Sequence, residues 1–236
     1  MKTGFVVSDM HIFSPLSHAE RYLPAIHAAA RDADFFVFNG DTFDFRWSAL
    51  PSVAATVDEA IHWLRDLTRR FPACEFHLVL GNHDYDVRFR AALDELAAET
   101  TNLLCSEFYL RLGSAFFLHG DAANRRMDVV TLVRSRSRWR NGRKKAAWIH
   151  DVYGALQTVG VVQAVQRVWF PRKRVVRRIS HYLQSVAPEV RDGVHDVYFG
   201  HTHRSFSNHV YSQLRFHNTG SAVRGSPFQM RRIETT

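Results

Sequence analysis

Five short apolar runs along the chain each end in polar residues that can do chemistry. They lie at residues 5–7, 35–38, 76–80, 115–118 and 197–199. Each run has the length and the β-branched or aromatic content of a strand, and Gly or Asn turn signals follow it. Because the runs are continuously apolar rather than alternating, they predict strands that are buried on both faces.

Helical patterns separate these runs. Apolar residues recur on one face at helical spacing in Ala19–Arg31, Val53–Phe71 and Val87–Thr100. This alternation of strands and helices predicts an α/β fold or a layered α/β sandwich. Towards the C-terminus, three short stretches predict antiparallel strands, at residues 209–211, 214–218 and 228–233.

Residues 122–190 have a different pattern. Two sets of apolar residues recur at helical spacing, one on each side of Pro171. The first set is Trp148, Val152, Tyr153, Leu156 and Val159, and the second is Val175, Val176, Ile179, Tyr182 and Leu183. We interpret this segment as a helical insertion, or lid, within a single α/β domain that spans residues 1–236.

The same segment holds the net positive charge of the chain. Of 31 Lys and Arg residues and 23 Asp and Glu residues, residues 122–190 contain 15 basic and 3 acidic ones, so the remainder is net negative. Such a bias predicts an anionic partner, which is nucleic acid, a lipid head group or a phosphorylated substrate. A solvated helical face that keeps the protein soluble is the alternative.

Composition narrows the class of protein. With 46% hydrophobic and 23% charged residues, the chain is not of the disordered class. Two cysteines without C-x-x-C spacing exclude a disulfide scaffold. Neither a signal-peptide apolar region nor an uncharged run of transmembrane length is present in the sequence, so we expect a cytoplasmic protein.

The loops after the five runs supply seven oxygen and imidazole donors and no thiolate. They are Asp9, His11, Asp41, Asn82, His119, His201 and His203. Because loops after parallel strands open on one sheet edge, we expect these donors to converge. Their mixed chemistry fits two divalent metal ions, with Mn, Fe, Zn or Co favoured over Mg, and Asp41 is the candidate bridge. Each motif alone is also a common polar loop, so the interpretation depends on their co-occurrence in this order.

These motifs, D-x-H at Asp9, G-D-x-x-D at Gly40, G-N-H-D at Gly81, H-G-D at His119 and G-H-x-H at Gly200, resemble the calcineurin-like metallophosphoesterase superfamily. The resemblance covers the chain outside the basic segment. It implies a four-layer α/β/β/α sandwich with a dinuclear metal site at one edge. It also implies that one ion is held by Asp9, His11, Asp41 and His203 and the other by Asp41, Asn82, His119 and His201. His83 would be the near-site histidine, oriented by Asp44.

The resemblance implies that this site hydrolyses phosphoesters. Two bound cations would supply an activated water and neutralise the charge that develops on the phosphoryl group. His83 would stabilise that charge or protonate the leaving group, and Asp44 would fix its tautomer. Arg125 and Arg126 could bind the substrate phosphate, or be solvated charges at the start of the insertion.

Within the superfamily, the sequence looks most like the UDP-2,3-diacylglucosamine hydrolases of lipid A synthesis. The features shared are the length, the Gly40–Phe45 stretch, the helical insertion after H-G-D and the tail around Gly200–Arg204 and Asn218–Ser221. This resemblance implies cleavage of a lipid-linked nucleotide to UMP and a sugar-lipid phosphate. The chain departs from that group at His83, where the group usually has Arg.

Aromatic residues beside the Arg clusters suit an anionic membrane surface, and the protein would then be peripheral on the inner face of the cytoplasmic membrane. These residues are Trp139, Trp148, Trp169 and Phe170. Packing of the lid onto the core is the alternative. Two rival functions stay open: a nuclease or nucleotide phosphodiesterase that holds nucleic acid with the basic insertion, and a non-catalytic scaffold on the same fold.

Overall fold

The computed structural model describes residues 1–146, 148–149, 154–155, 157 and 161–235. Three of the predicted parallel strands lie in one five-stranded sheet, sheet 1: β1 (Lys2–Val7), β2 (Phe35–Asn39) and β3 (Glu75–Val79). They are joined by β4 (Leu103–Ser106), parallel to β3, and by β10 (Arg231–Thr235), antiparallel to β1. The sheet order is β10-β1-β2-β3-β4.

The other two predicted strands belong to a second sheet, sheet 2. It contains β5 (Tyr109–Leu112), β6 (Ala115–Leu118), β7 (Asp196–Phe199), β8 (Phe206–Tyr211) and β9 (Leu214–Asn218). Its order is β5-β6-β7-β9-β8, with β6, β7 and β9 parallel and the two edge strands antiparallel. The expectation of one shared sheet edge is therefore wrong, because the loops open on the edges of two facing sheets.

Alternate side chains of the central strands enter different cores. In β2, Phe36 and Phe38 face the helices while Phe35 and Val37 lie between the sheets. In β6, Phe117 lies between the sheets, and Phe116 is buried on the opposite face of sheet 2, towards the helices. This double burial explains why the apolar runs are continuous. Helices, two sheets and helices form four layers, so the predicted α/β/β/α sandwich is confirmed.

Three helices cover sheet 1, and their first turns explain where they begin. α2 (Val53–Arg70) starts where the Ser52 hydroxyl accepts a hydrogen bond from the Ala55 amide at 3.0 Å. α3 (Val87–Glu99) is capped in the same way by Asp86. α1 (Leu23–Asp32) begins later than predicted, because Pro24 occupies its first turn and residues 19–21 form a separate 3₁₀ turn.

The basic segment contributes the fourth layer as well as surface helices. It contains α4 (Val129–Arg136), α5 (Val161–Trp169), α6 (Arg172–Gln184) and α7 (Pro188–Arg191). The apolar face of α6 is buried against sheet 2, so this part of the predicted lid belongs to the core. The predicted helical positions Val152, Tyr153, Leu156 and Val159 lie outside the described residues.

Over the residues that the structure describes, we find no helix of a length and hydropathy suited to crossing a bilayer.

Candidate metal centre

The backbone at the strand ends has an unusual conformation. Five of the seven candidate ligands have positive φ angles between 48° and 63°: Asp9, His11, Asp41, His201 and His203. Non-glycine residues seldom adopt this region, which costs free energy and recurs at functional sites. Hydrogen bonds between the loops hold it, since the amides of Asp9 and His11 donate to the carbonyls of Gly40 and Asp41, both at 2.9 Å.

Two glycines allow the loops to come this close. A Cβ at Gly81 would overlap the carboxylate of Asp41, and one at Gly200 would overlap that of Asp9. Only glycine fits at these two positions, because the backbone there lies too close to side chains of the site for a Cβ atom.

Asp9, His11, Asp41 and His203 lie together at the first position. His203 Nε2 lies 3.3 Å from Asp9 Oδ1. His11 Nε2 lies 3.9 Å from the same Asp9 oxygen and 3.8 Å from Asp41 Oδ2. Asp9, His11 and Asp41 come from sheet 1 and His203 comes from sheet 2, so this group spans both sheets.

The second group is formed around His119. Its Nε2 lies 3.2 Å from Asp41 Oδ2, 3.1 Å from Asn82 Oδ1 and 3.1 Å from His201 Nδ1. Asp41 and Asn82 follow strands of sheet 1, whereas His119 and His201 follow strands of sheet 2. Asp41 lies in both groups.

The donors present fit a pair of cations. His11 Nε2 is buried and has no hydrogen-bond partner, although it faces two carboxylates. Around His119 Nε2, three oxygen or nitrogen atoms with lone pairs lie within 3.2 Å. Donor atoms around one divalent ion are separated by about 3 Å, given bonds of about 2.1 Å. The site thus suits a dinuclear metal centre that shares Asp41.

The charges in this cluster are strongly coupled. Burial lowers the pKa of His119, but Asp41 and Asp9 outweigh it and raise the value to about 9. Burial and the charge of His119 lower the pKa of His201 to about 4. Burial raises the pKa of Asp41, yet the charges of His119 and His83 hold it well below the ordinary range. Without a bound cation, these contacts keep Asp41 ionised, His119 protonated and His201 unprotonated, and a cation bound at His119 would displace its proton.

Asp44 contacts two histidines. Its Oδ2 accepts hydrogen bonds from Nδ1 of His11 at 3.2 Å and Nδ1 of His83 at 3.0 Å. Burial lowers the pKa of His83, but Asp44 and Asp41 raise it to about 9. The Asp44 position beside His83 is the one implied by the resemblance, and its contact with the candidate ligand His11 is additional. Fixing the tautomer of a ligating histidine is a common role for such a carboxylate.

Sequence reasoning missed two residues of the site, Asn124 and Asp84. Asn124 Oδ1 accepts a hydrogen bond from Nε2 of His201 at 2.9 Å, which leaves Nδ1 of that ring facing His119. Asp84 accepts hydrogen bonds from the amides of Gly81 (2.6 Å) and Thr42 (2.8 Å) and so ties two loops together. The G-N-H-D motif carried a signal for Asp84, whereas no motif points to Asn124.

Of the aromatic and arginine residues singled out in the sequence, Trp139 packs at the site, whereas most of the others are exposed. Trp139 packs over His83, with ring centroids 5.0 Å apart, whereas Trp148 and Trp169 are exposed. Arg125 and Arg126 are both exposed. Arg126 lines a different cavity from the one that contains His83, and both arginines follow Asn124, which contacts His201. Their binding of the substrate phosphate stays a prediction.

Metal removal gives a direct test of this centre. We expect Mn²⁺ to raise the Tm of the protein and EDTA to lower it, because the ions bind only the folded ligand cluster. At a free metal concentration 100 times Kd, the stabilisation is about 2.7 kcal/mol. Thermal unfolding followed by circular dichroism measures it. A Tm that responds neither to chelator nor to Mn²⁺, Fe²⁺, Zn²⁺ or Co²⁺ would contradict the assignment.

Comparison with known proteins bears on the same stretch of chain. Residues 5–205, which include every candidate ligand, match the family described as Calcineurin-like phosphoesterase. The chain is similar to Vps29 from Chaetomium thermophilum, with 14% identity over 100% of this chain and 80% of that chain and a TM-score of 0.39. It is also similar to a dimetal phosphatase from Danio rerio, with 11% identity over 94% and 88% of the two chains and a TM-score of 0.47. No curated protein sequence matches the chain.

Proposed function

The chain belongs to the calcineurin-like phosphoesterase family, and we propose that as a metal-dependent phosphoesterase it cleaves the pyrophosphate bond of a UDP-linked diacylglucosamine. The products would be UMP and a sugar-lipid phosphate. The observation that carries the lipid part of this proposal is the apolar surroundings of the metal centre.

The cavity beside the first ligand group, at His11 and His203, has apolar walls. It measures about 250 Å³, and Leu16, Trp47, Trp139 and Val223 line it together with His11, Asp44, His83 and His203. A second cavity of about 420 Å³ shares Ser14 with it and is lined by Phe13, Leu23, Leu50 and Trp63, among others. Such walls favour a ligand that carries an aliphatic group beside its phosphate over a polyanion such as nucleic acid.

One helix supports contact with a membrane. The exposed side chains of α5 include Val161, Val165, Val168 and Trp169, of which Val168 is 71% exposed and Trp169 67% exposed. Their spacing puts the valines on one face of the helix. Basic residues follow directly in α6, at Arg172, Lys173 and Arg174. An apolar face next to basic residues suits the surface of an anionic bilayer.

The protein groups divide the work at the site. When two divalent ions are bound, they supply Lewis acidity and an activated water. Asp9, His11, Asp41 and His203 would hold one ion, and Asp41, Asn82, His119 and His201 the other. His83 donates Nδ1–H to Asp44, which leaves its Nε2 side for the substrate. With a pKa of about 9 it carries a proton at neutral pH, available to a phosphoryl oxygen or the leaving group.

His83→Gln tests that role. We expect kcat to fall by about 10²-fold or more, the contribution typical of a general acid, while two metal ions per chain are retained. Turnover of an aryl phosphodiester and elemental analysis measure the two quantities. His62→Gln is the matched control, because His62 is exposed on α2. A metal content that falls in parallel with kcat would make His83 a ligand instead.

The substrate proposal is tested by hydrolysis in ¹⁸O-labelled water. The panel holds UDP-diacylglucosamine, UDP-glucose, nucleotide diphosphates, cyclic nucleotides and DNA, and mass spectrometry identifies both the product and the phosphorus that is attacked. We expect ¹⁸O-labelled products from the lipid-linked nucleotide and little turnover of the others. Equal turnover of UDP-glucose and UDP-diacylglucosamine would show that the apolar walls do not select a lipid substrate.

A nuclease is the second candidate, favoured by the basic outer face of α6. Arg174, Arg177 and Arg178 lie on this helix, and within the described ranges none forms an ion pair. A nuclease would cleave DNA or RNA oligomers with an affinity that collapses as salt rises. The lipid substrate instead predicts activity that depends on detergent.

A further inference from the structure

A separate cavity of about 490 Å³ lies between α6, the loop that contains Arg126 and the turn from β8 to β9. All of its described lining residues are polar and none is acidic. Four of them carry a guanidinium or imidazole group: Arg126, Arg177, Arg178 and His181. It shares no lining residue with the cavity that contains His83, and none of the seven candidate ligands lines it. The chemistry of this cavity is therefore that of a site for an anion.

Helix α6 provides the basic wall because it is amphipathic. Its residues Val175, Val176 and Ile179 are buried against sheet 2. Arg177 and His181 are four positions apart and thus on the same face, which turns away from that core. The wall is consequently fixed to the sheet by the packing of its own helix.

Arg178 is held in place by the protein. Its Nη1 donates hydrogen bonds to the carbonyls of Ala123 at 2.7 Å and Asn124 at 2.9 Å. A guanidinium fixed through one nitrogen keeps its other N–H groups for a further acceptor. Burial lowers the pKa of Arg178, and the like charges of Arg174 and Arg177 lower it further.

No carboxylate in the described part of the chain forms an ion pair with Arg126, Arg177 or Arg178. The nearby acid, Asp128, interacts with His181 but accepts the Thr131 amide at 2.7 Å as the N-cap of α4. Like charges three or four residues apart destabilise a helix. An anion bound among them would offset that cost.

We propose that this cavity binds the phosphate group of a phosphorylated ligand, at a site separate from the metal centre. Guanidinium groups bind phosphate through pairs of charge-assisted hydrogen bonds, and Tyr211 and Ser212 offer neutral hydroxyl groups opposite the helix. The volume leaves room for the organic part of the ligand beside its phosphate. Binding here does not depend on the hydrolytic reaction proposed above.

Calorimetric titration of the Mn²⁺-loaded full chain with inorganic phosphate tests the proposal. We expect two binding events, one at the metal centre and one at the cavity. In the double variant R126Q/R177Q the second event should weaken by at least about tenfold, since charge-assisted hydrogen bonds are lost, and the first should persist. The control R69Q/R134Q removes the same charge from two exposed residues outside both cavities.

A second arm separates free phosphate from a lipid head group. The same variants are floated with vesicles of phosphatidic acid, and with phosphatidylcholine vesicles for comparison. Selective loss of either phosphate binding or phosphatidic acid binding in R126Q/R177Q supports the site and identifies the source of the phosphate. If R126Q/R177Q and R69Q/R134Q bind both probes equally, with unchanged circular dichroism spectra, the proposal is overturned.

Discussion

Replacing Asp41 with Asn is expected to remove both metal binding and hydrolysis. Asp41 is 1% exposed and lies in both donor groups, with Oδ2 3.2 Å from His119 and 3.8 Å from His11. Its Oδ1 accepts the His83 amide at 2.7 Å, a bond that Asn can keep. The substitution therefore removes a charge with little change of shape. Removal of a residue that only hydrogen-bonds a metal ligand costs up to about 100-fold in activity. Because Asp41 is itself a candidate ligand of both ions, we expect kcat to fall by more than that.

Elemental analysis and turnover of an aryl phosphodiester check this expectation together. The control is Asp58→Asn, which makes the same change at an exposed position of α2. A D41N protein that keeps two ions per chain and its turnover would show that the bridging assignment is wrong. Loss of turnover with full metal content would instead place Asp41 in the reaction rather than in the metal site.

Replacing Arg136 with Met is expected to cost about 3–5 kcal/mol of the free energy of unfolding, as removal of one partner of a buried ion pair does. Arg136 is 1% exposed and forms a bidentate pair with Asp121, at 2.8 and 2.9 Å. It also donates to the carbonyls of Leu80 (2.7 Å) and Glu107 (2.6 Å). One side chain thus joins α4 to both loops that carry His119 and Asn82.

Urea unfolding measures the loss, with Arg134→Met as control, since Arg134 is exposed on the same helix. Asp121→Asn should lower the free energy of unfolding less in R136M than in the wild type. In R136M it removes a buried charge that has already lost its partner, whereas in the wild type it leaves Arg136 unpaired. If R136M unfolds at the same urea concentration as R134M, the pair contributes nothing to stability.

The same pair sets a pH dependence. Burial raises the pKa of Asp121, but the charge and hydrogen bonds of Arg136 outweigh it and lower the pKa to about 2. A folded-state pKa below the ordinary value of about 3.9 means that the stabilisation is present above that value and is lost as the pH falls towards 2.

The strands that carry the site could be predicted because each is buried on both faces and ends in donor residues. β2, with Phe35 to Phe38, is the clearest case. β4 and β5 were not predicted, since both are partly exposed edge strands and no candidate ligand follows either of them. Period and spacing also say nothing about which sheet a strand joins, so the division of ligands between two sheets was not predicted from the pattern alone.

The basic segment shows another limit of sequence reasoning. Arg136 and Arg134 look alike in the sequence, yet one is buried and the other exposed. The difference depends on Asp121 and two carbonyls that are distant in the chain. Likewise, the apolar face of α6 does not reveal whether it covers the substrate or sheet 2. The structure shows that it covers sheet 2.

The division of the ligands between the sheets has a mechanical consequence. Each cation, once bound, would add a cross-link between two sheets that already meet through apolar side chains such as Val37 and Phe117. At the site itself they also meet through hydrogen bonds, such as those from the His201 amide to the Asp9 carboxylate. Hydrolytic capacity and part of the rigidity at that end would therefore be acquired together, when the metals bind.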